Sequence, residues 1–287
     1  MQNLFSRKGH VKVATAAACL SILVLARAPP FDAEEKTPLD VREQAWSALT
    51  DGLHDHHASH RAQAVQSLAL MPGNRRATQF AIRALSDKDF HVRAAAALSL
   101  GPMQAMQAKP ALHEALNDQE VSVVLAAAHS LYLLKDKDAY EVYYAILMGD
   151  RKSSNGLMQS QLDRLKDPKQ MMQLGFQEGI SFVPFGGMGY EALRELRAHN
   201  GANARAAAAS LLANDSDQIS EDALVQTALA DSNQEVRLAS LDALAQHGDP
   251  KIVDRLARNL NEDKSAVRYR TAAVILHLSS LEKRRKK

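Results

Sequence analysis

Five residues in one short stretch could do metal chemistry: His54, Asp55, His56, His57 and His60. His56 and His60 are four apart, a spacing that places two imidazoles on one helix face and can hold zinc, nickel or copper. The opposing reading is a solvated turn in which Asp55 caps a helix. That reading is the one adopted, so no metal or cofactor is expected, with His56 and His60 kept as the candidate ligands. The only cysteine is Cys19, so residues 29–287 have no disulfide, thiolate metal site or cysteine nucleophile. The glycines of 179–189 do not form a phosphate loop, because no Lys-Ser or Lys-Thr follows them. No arrangement of nucleophile, base and orienting group emerges, and a non-catalytic role is expected.

The elements that must position these residues come from a repeat. The segments Asp55–Arg61, Asp87–Arg93, Asp118–Val124, Asp231–Arg237 and Glu262–Arg268 align, with His199–Arg205 as a weaker copy. Their last residues, 61, 93 and 124, are spaced by 32 and 31; 205, 237 and 268 repeat that spacing. Three residues beyond each anchor stands a small residue: Ala64, Ala96, Ala127, Ala208, Ser240 or Thr271. Seven beyond stands a large aliphatic: Leu68, Leu100, Leu131, Leu212, Leu244 or Ile275. Offsets of three and seven share one helix face, so the small column admits a neighbouring helix and the aliphatic column fills the layer between. The acid six before the anchor suits a helix N-cap. The anchor Arg emerges early in the helix, where an Asp of an adjacent repeat could pair with it. Second amphipathic stretches, such as 104–116, 138–147, 221–229 and 250–260, make each unit a helical hairpin. Hairpins repeated every 31 or so residues predict an all-α superhelix of about six repeats, two blocks of three around an irregular centre.

At the signature Asp-x-x-x-x-Val-Arg-x-x-Ala-x-x-x-Leu, kept best at Asp87–Leu100, the chain resembles the HEAT-repeat family. Within it, the chain is most similar to the bacterial phycobilisome-lyase HEAT-like class. The resemblance implies an α-solenoid whose extended surface binds proteins. Phycobilin lyases have repeats like these and attach chromophores, which makes a lyase-like enzyme or enzyme subunit the alternative. Deoxyhypusine hydroxylase also resembles this fold and holds two irons through recurring His-Glu pairs. Here only His113-Glu114 occurs, so that site is not expected. HEAT-like DNA glycosylases need a basic groove with aromatic residues placed for a base. The single Trp, Trp46, is expected to cover the first repeat instead.

Flanking segments complete the organisation. Residues 1–28 read as a signal peptide, with Arg7, Lys8 and Lys12 before an apolar run of 14 residues, Val13–Ala26. Pro29 disfavours cleavage after Ala28, so a retained anchor is the alternative. A linker, 29–36, leads to N-terminal repeats at 37–149, a central region at 150–190, C-terminal repeats at 191–281 and a basic tail at 282–287. Eight of the 14 aromatics fall between Tyr132 and Tyr190. Phe182, Phe185, Met188, Tyr190, Tyr143 and Tyr144 are therefore the candidate partner-binding residues, against a packed plug as the bland reading. The chain carries 35 basic and 33 acidic residues. Four unopposed basic residues in 1–28 and a net four in the tail turn the overall +2 into −6 for residues 29–281. That balance disfavours the nucleic-acid-binding alternative. The expectation is an exported scaffold, periplasmic or secreted, or anchored in the inner membrane. Its partners would be one or more proteins, with membrane contact confined to the N-terminal segment or the tail.

Overall fold

The computed structural model describes residues 40–137, 139–140 and 201–285, and the fold statements here concern those residues. They form eleven α-helices and no strand: α1 (Val41–Leu53), α2 (Ala58–Ser67), α3 (Arg75–Ala84), α4 (Phe90–Leu100), α5 (Lys109–Ala115) and α6 (Val121–Leu133) come first. After the central region follow α7 (Gly201–Leu212), α8 (Gln218–Ala230), α9 (Gln234–His247), α10 (Val253–Leu256) and α11 (Ser265–Arg285). The basic residues 283–285 thus continue a helix instead of starting a separate tail.

The two sequence columns occupy the places their spacing predicts. Ala64, Ala96, Ala127, Ser240 and Thr271 are fully buried, as are Leu68, Leu100, Leu131, Leu244 and Ile275. Repeat 4 departs from the pattern: Ala208 is exposed and Leu212 half-buried, while Ala209 and Ala213 enter the core. Among the described helices α7 packs mainly against α9. Polar side chains also tie repeats together. Ser99 Oγ lies 2.7 Å from its own Ala95 carbonyl and 3.0 Å from Val65 O in the preceding repeat.

The acid six before each anchor is not the N-cap. Asp89, Glu120 and Asn233, two residues later, cap α4, α6 and α9. Asp87, Asp118 and Asp231 instead accept the amides of those capping residues, at 2.8–2.9 Å. This folds the loop so that each carboxylate faces the Arg of the preceding repeat. Arg61 donates Nε and Nη2 to Asp87 at 2.8 Å each, and Arg93 donates to Asp118 at 2.7 and 2.9 Å. Arg205 reaches Asp231, and Arg237 reaches Glu262 at 2.6 Å. The third guanidinium nitrogen of Arg61 and of Arg93 turns back to the carbonyl six residues earlier, Asp55 O or Asp87 O. One side chain therefore clamps its own loop to the next, in the bidentate geometry only Arg supplies.

The order of repeats in space differs from their order in the chain. The anchor-bearing helices pack as α7, α9, α11, α2, α4, α6, so repeat 6 stacks on repeat 1. The blocks of three meet through the chain's last and first repeats, and repeats 3 and 4 lie at opposite ends of the described stack. The seam is tight. A Cβ at Gly52 would sit 2.5 Å from two Tyr269 ring carbons and 3.0 Å from Ala64 Cβ, so a glycine is required where α1 crosses α11. Ser265 Oγ donates to Gln63 Oε1 at 2.6 Å across the same junction. Elsewhere Gly248, at φ +76°, ends α9 in the left-handed region, its amide bonded to Leu244 O at 3.1 Å.

Burial raises the carboxyls of Asp87 and Asp118, but their Arg partners and loop amides outweigh it and hold both below the ordinary value of 3.8. Their contribution is therefore complete above that value and is lost as pH falls below it. Thermal unfolding should show a decline in Tm as pH falls below 4, shallower over that interval in Asp87→Asn/Asp118→Asn. At pH 7, Asp87→Ala strands a largely buried guanidinium and should cost about 2–4 kcal/mol by denaturant unfolding. Gly52→Ala should cost about 1–3 kcal/mol through overpacking, and Tyr269→Leu in the same chain should recover part of that loss.

Candidate functional site

The seam between repeats 6 and 1 is also where the Arg–carboxylate ladder is interrupted. Arg268 is the anchor of repeat 6, and its Nη1 donates to Glu262 O, as Arg61 and Arg93 do to their own loops. By the register of the stack its acid should be Asp55. No ion pair joins them. Arg268 Nε and Nη2 have no hydrogen-bond partner among the described residues, and its guanidinium lies 5.1 Å from the Tyr269 ring centroid. Between the two half-clamps is a cavity of about 510 Å³. Gln44, Asp51 and Asp55 line it from repeat 1, and Asn261, Arg268 and Tyr269 from repeat 6.

Asp55 has turned to other donors. Its Oδ1 accepts the His57 amide at 2.8 Å, the same loop bond made by Asp87 and Asp118. Where those residues meet an Arg, Asp55 meets two imidazoles: His57 Nδ1 is 3.0 Å from Oδ1, and His60 Nδ1 is 3.0 Å from Oδ2. The His57 amide first, and then His60, hold the Asp55 carboxyl well below the usual carboxylate range. One ligand-type atom from each of Asp55, His57 and His60 lies within 4.8 Å of the others. His57 is largely exposed, while His60 and Asp55 are partly covered. The arrangement gathers two imidazoles around a carboxylate that also lines the charged cavity.

Of the two candidate ligands read from the sequence, the structure brings His60 into this cluster and leaves His56 out. The helix begins at Ala58 with His57 as N-cap, so His56 precedes it and the four-residue spacing is not a helical face. Its carbonyl accepts from Arg61 at 3.1 Å. Phe182, Phe185, Met188, Tyr190, Tyr143 and Tyr144 lie outside the described residues. Their neighbours Tyr132 and Tyr140 are described: both rings are about half exposed and meet edge to face at 5.7 Å, beside exposed Leu133. Trp46 is half-buried against the core with Arg76 stacked on its ring at 4.1 Å. His113 faces Asp136, which also takes Lys109 at 3.0 Å.

Sequence reasoning placed His57 in the cluster without taking it as a ligand, and did not bring Asp51, Arg268 and Tyr269 together with Asp55 at one cavity. The repeat marked Arg268 as an anchor. Nothing in the periodicity indicated that the first repeat would supply the other side.

A family model for HEAT repeats matches residues 46–132 and 190–276, more than half of the chain. Among solved structures, the complex of CpcE and CpcF of phycocyanin lyase from Nostoc sp. PCC7120 is similar over 87% of this chain and 99% of that one. The identity there is 18% and the TM-score 0.33. An engineered protein is similar over 84% of this chain and 97% of its own, with 16% identity and a TM-score of 0.26. Neither likeness bears on function at these levels. No curated protein matches. The repeat columns, the inter-repeat clamps and the family match agree: the chain belongs to the HEAT-repeat family.

Proposed function

We propose that the protein is an exported HEAT-repeat scaffold that binds one or more partner proteins. The observation that carries this reading is the Tyr132–Tyr140 pair, half exposed at the end of α6 with Leu133 exposed beside it. Two half-exposed aromatic rings and a half-exposed leucine forgo part of the burial that stabilises the rest of the stack. Such groups supply large contact area at low entropic cost when a partner covers them. The acidic balance of residues 29–281 supports a protein partner over nucleic acid. Export rests on the basic start and the apolar run Val13–Ala26. No helix among the described residues is long and apolar enough to cross a membrane. The seam cavity, with charged groups on both walls, favours one second reading: a lyase-like enzyme subunit, which requires a ligand bound in the purified protein.

The scaffold reading is tested by in-cell crosslinking and identification of the captured proteins, comparing the native chain with Tyr132→Ala/Tyr140→Ala. Because both side chains are half exposed, the variant should keep its Tm within a few degrees and lose its main crosslinked partner about tenfold. An unchanged partner profile would remove the basis for the reading. Export is tested separately with a reporter active only outside the cytoplasm, fused after residue 40. Activity is expected, and a reporter retained inside contradicts it.

A further inference from the structure

We propose that Asp55, His57 and His60 form a binding site for one divalent transition-metal ion of the zinc type, beside the seam cavity that Asp55 also lines. Three observations carry it. The donor set, two imidazoles and a carboxylate, is one that zinc accepts, with ligand distances of about 2.0–2.2 Å and three protein ligands where a fourth position stays open. The donor atoms already converge within 4.8 Å. Both Nδ1 atoms are 3.0 Å from a carboxylate oxygen, close to the separation of two ligand atoms on one ion. An ion can therefore bind with the side chains close to where they are.

The second observation is the support beneath Asp55. The His57 amide fixes Oδ1 at 2.8 Å, and Arg61 Nη1 donates to the Asp55 carbonyl at 2.9 Å while bound to Asp87. The carboxylate is therefore held by groups that would act as an outer shell to a bound ion and fix its ligand in place.

The third is its position in the ladder. Arg61, Arg93, Arg205 and Arg237 each engage an acid of the following repeat. At the seam Asp55 takes histidines instead, and Arg268 presents its unbonded edge to the cavity that Asp55 also lines. An Arg paired to Asp55 would neutralise the carboxylate and repel a cation. Its replacement by two imidazoles at this one junction leaves a ligand set in place of a clamp. A group entering the cavity to complete the coordination would meet Arg268 as well, which selects an anionic donor such as a carboxylate.

Zinc binding to the untagged full-length chain, measured by isothermal titration calorimetry, tests the site, with cobalt as a spectroscopic probe of coordination. The native chain should bind one equivalent, and cobalt should give the visible absorption of a four-coordinate site. His57→Ala and His60→Ala remove exposed or partly covered rings, so both should keep the native far-UV circular dichroism and metal-free Tm. Each should bind about 100-fold more weakly or not at all, while His56→Ala should bind as the native chain does. Absence of stoichiometric zinc binding by the native chain overturns the proposal. So does retention of native affinity by His57→Ala or His60→Ala, or a loss in His56→Ala equal to theirs.

Discussion

The clamp in which one Arg holds two loops organises the structure. Arg61 and Arg93 each use two guanidinium nitrogens on the carboxylate of the next repeat and a third on a carbonyl of their own loop. That fixes the distance and the rotation between successive hairpins together. Burial makes the clamps of Arg61, Arg93 and Arg237 costly to half-remove, because a lone guanidinium or carboxylate would be left without its partner, while Arg205 is half exposed. The clamp contributes less to net stability than the aliphatic layer beneath it, where Leu68, Leu100, Leu131, Leu244 and Ile275 are each worth about 1.5–3 kcal/mol of burial. The apolar layer drives stacking, and the clamp decides in which register the layers stack.

This division explains why the seam matters. Repeats 6 and 1 are not neighbours in the chain, yet they continue the same stack, with Gly52 against Tyr269 and Gln63 bonded to Ser265. Apolar and small-residue complementarity suffices to join them. The clamp is absent there, and its two halves line a cavity. Polar groups released from a structural duty at one junction become available for binding, while the surrounding repeats keep the junction rigid. Solenoids bind along surfaces built this way, where position is set by the repeat and chemistry by local departures from it.

Much of this was legible in the sequence because a repeat states its rule several times. Six copies fixed the helical faces and the small and large columns, and five of them carry the clamp Arg. The N-cap was misplaced by two residues because an acid near a helix start suits either capping or a loop turn, and the deciding contact, Arg61 to Asp87, is 26 residues away. The same two-residue shift moved His57 into the Asp55 cluster and His56 out of it. The seam left no periodic trace at all: Gln63 and Ser265 are 202 residues apart, and nothing local marks either as an interface residue.

The account stands on repeat 6 packing against repeat 1 within one chain. The most direct measurement places cysteines at that junction, Gln63→Cys with Ser265→Cys, in a Cys19→Ser background that leaves no other thiol. Treated with a short bis-maleimide at low protein concentration, this chain should form a single intramolecular crosslink in high yield, detected as one peptide pair by mass spectrometry. Independent modification of the two cysteines, or crosslinks only between chains, would contradict the seam and with it the continuous stack.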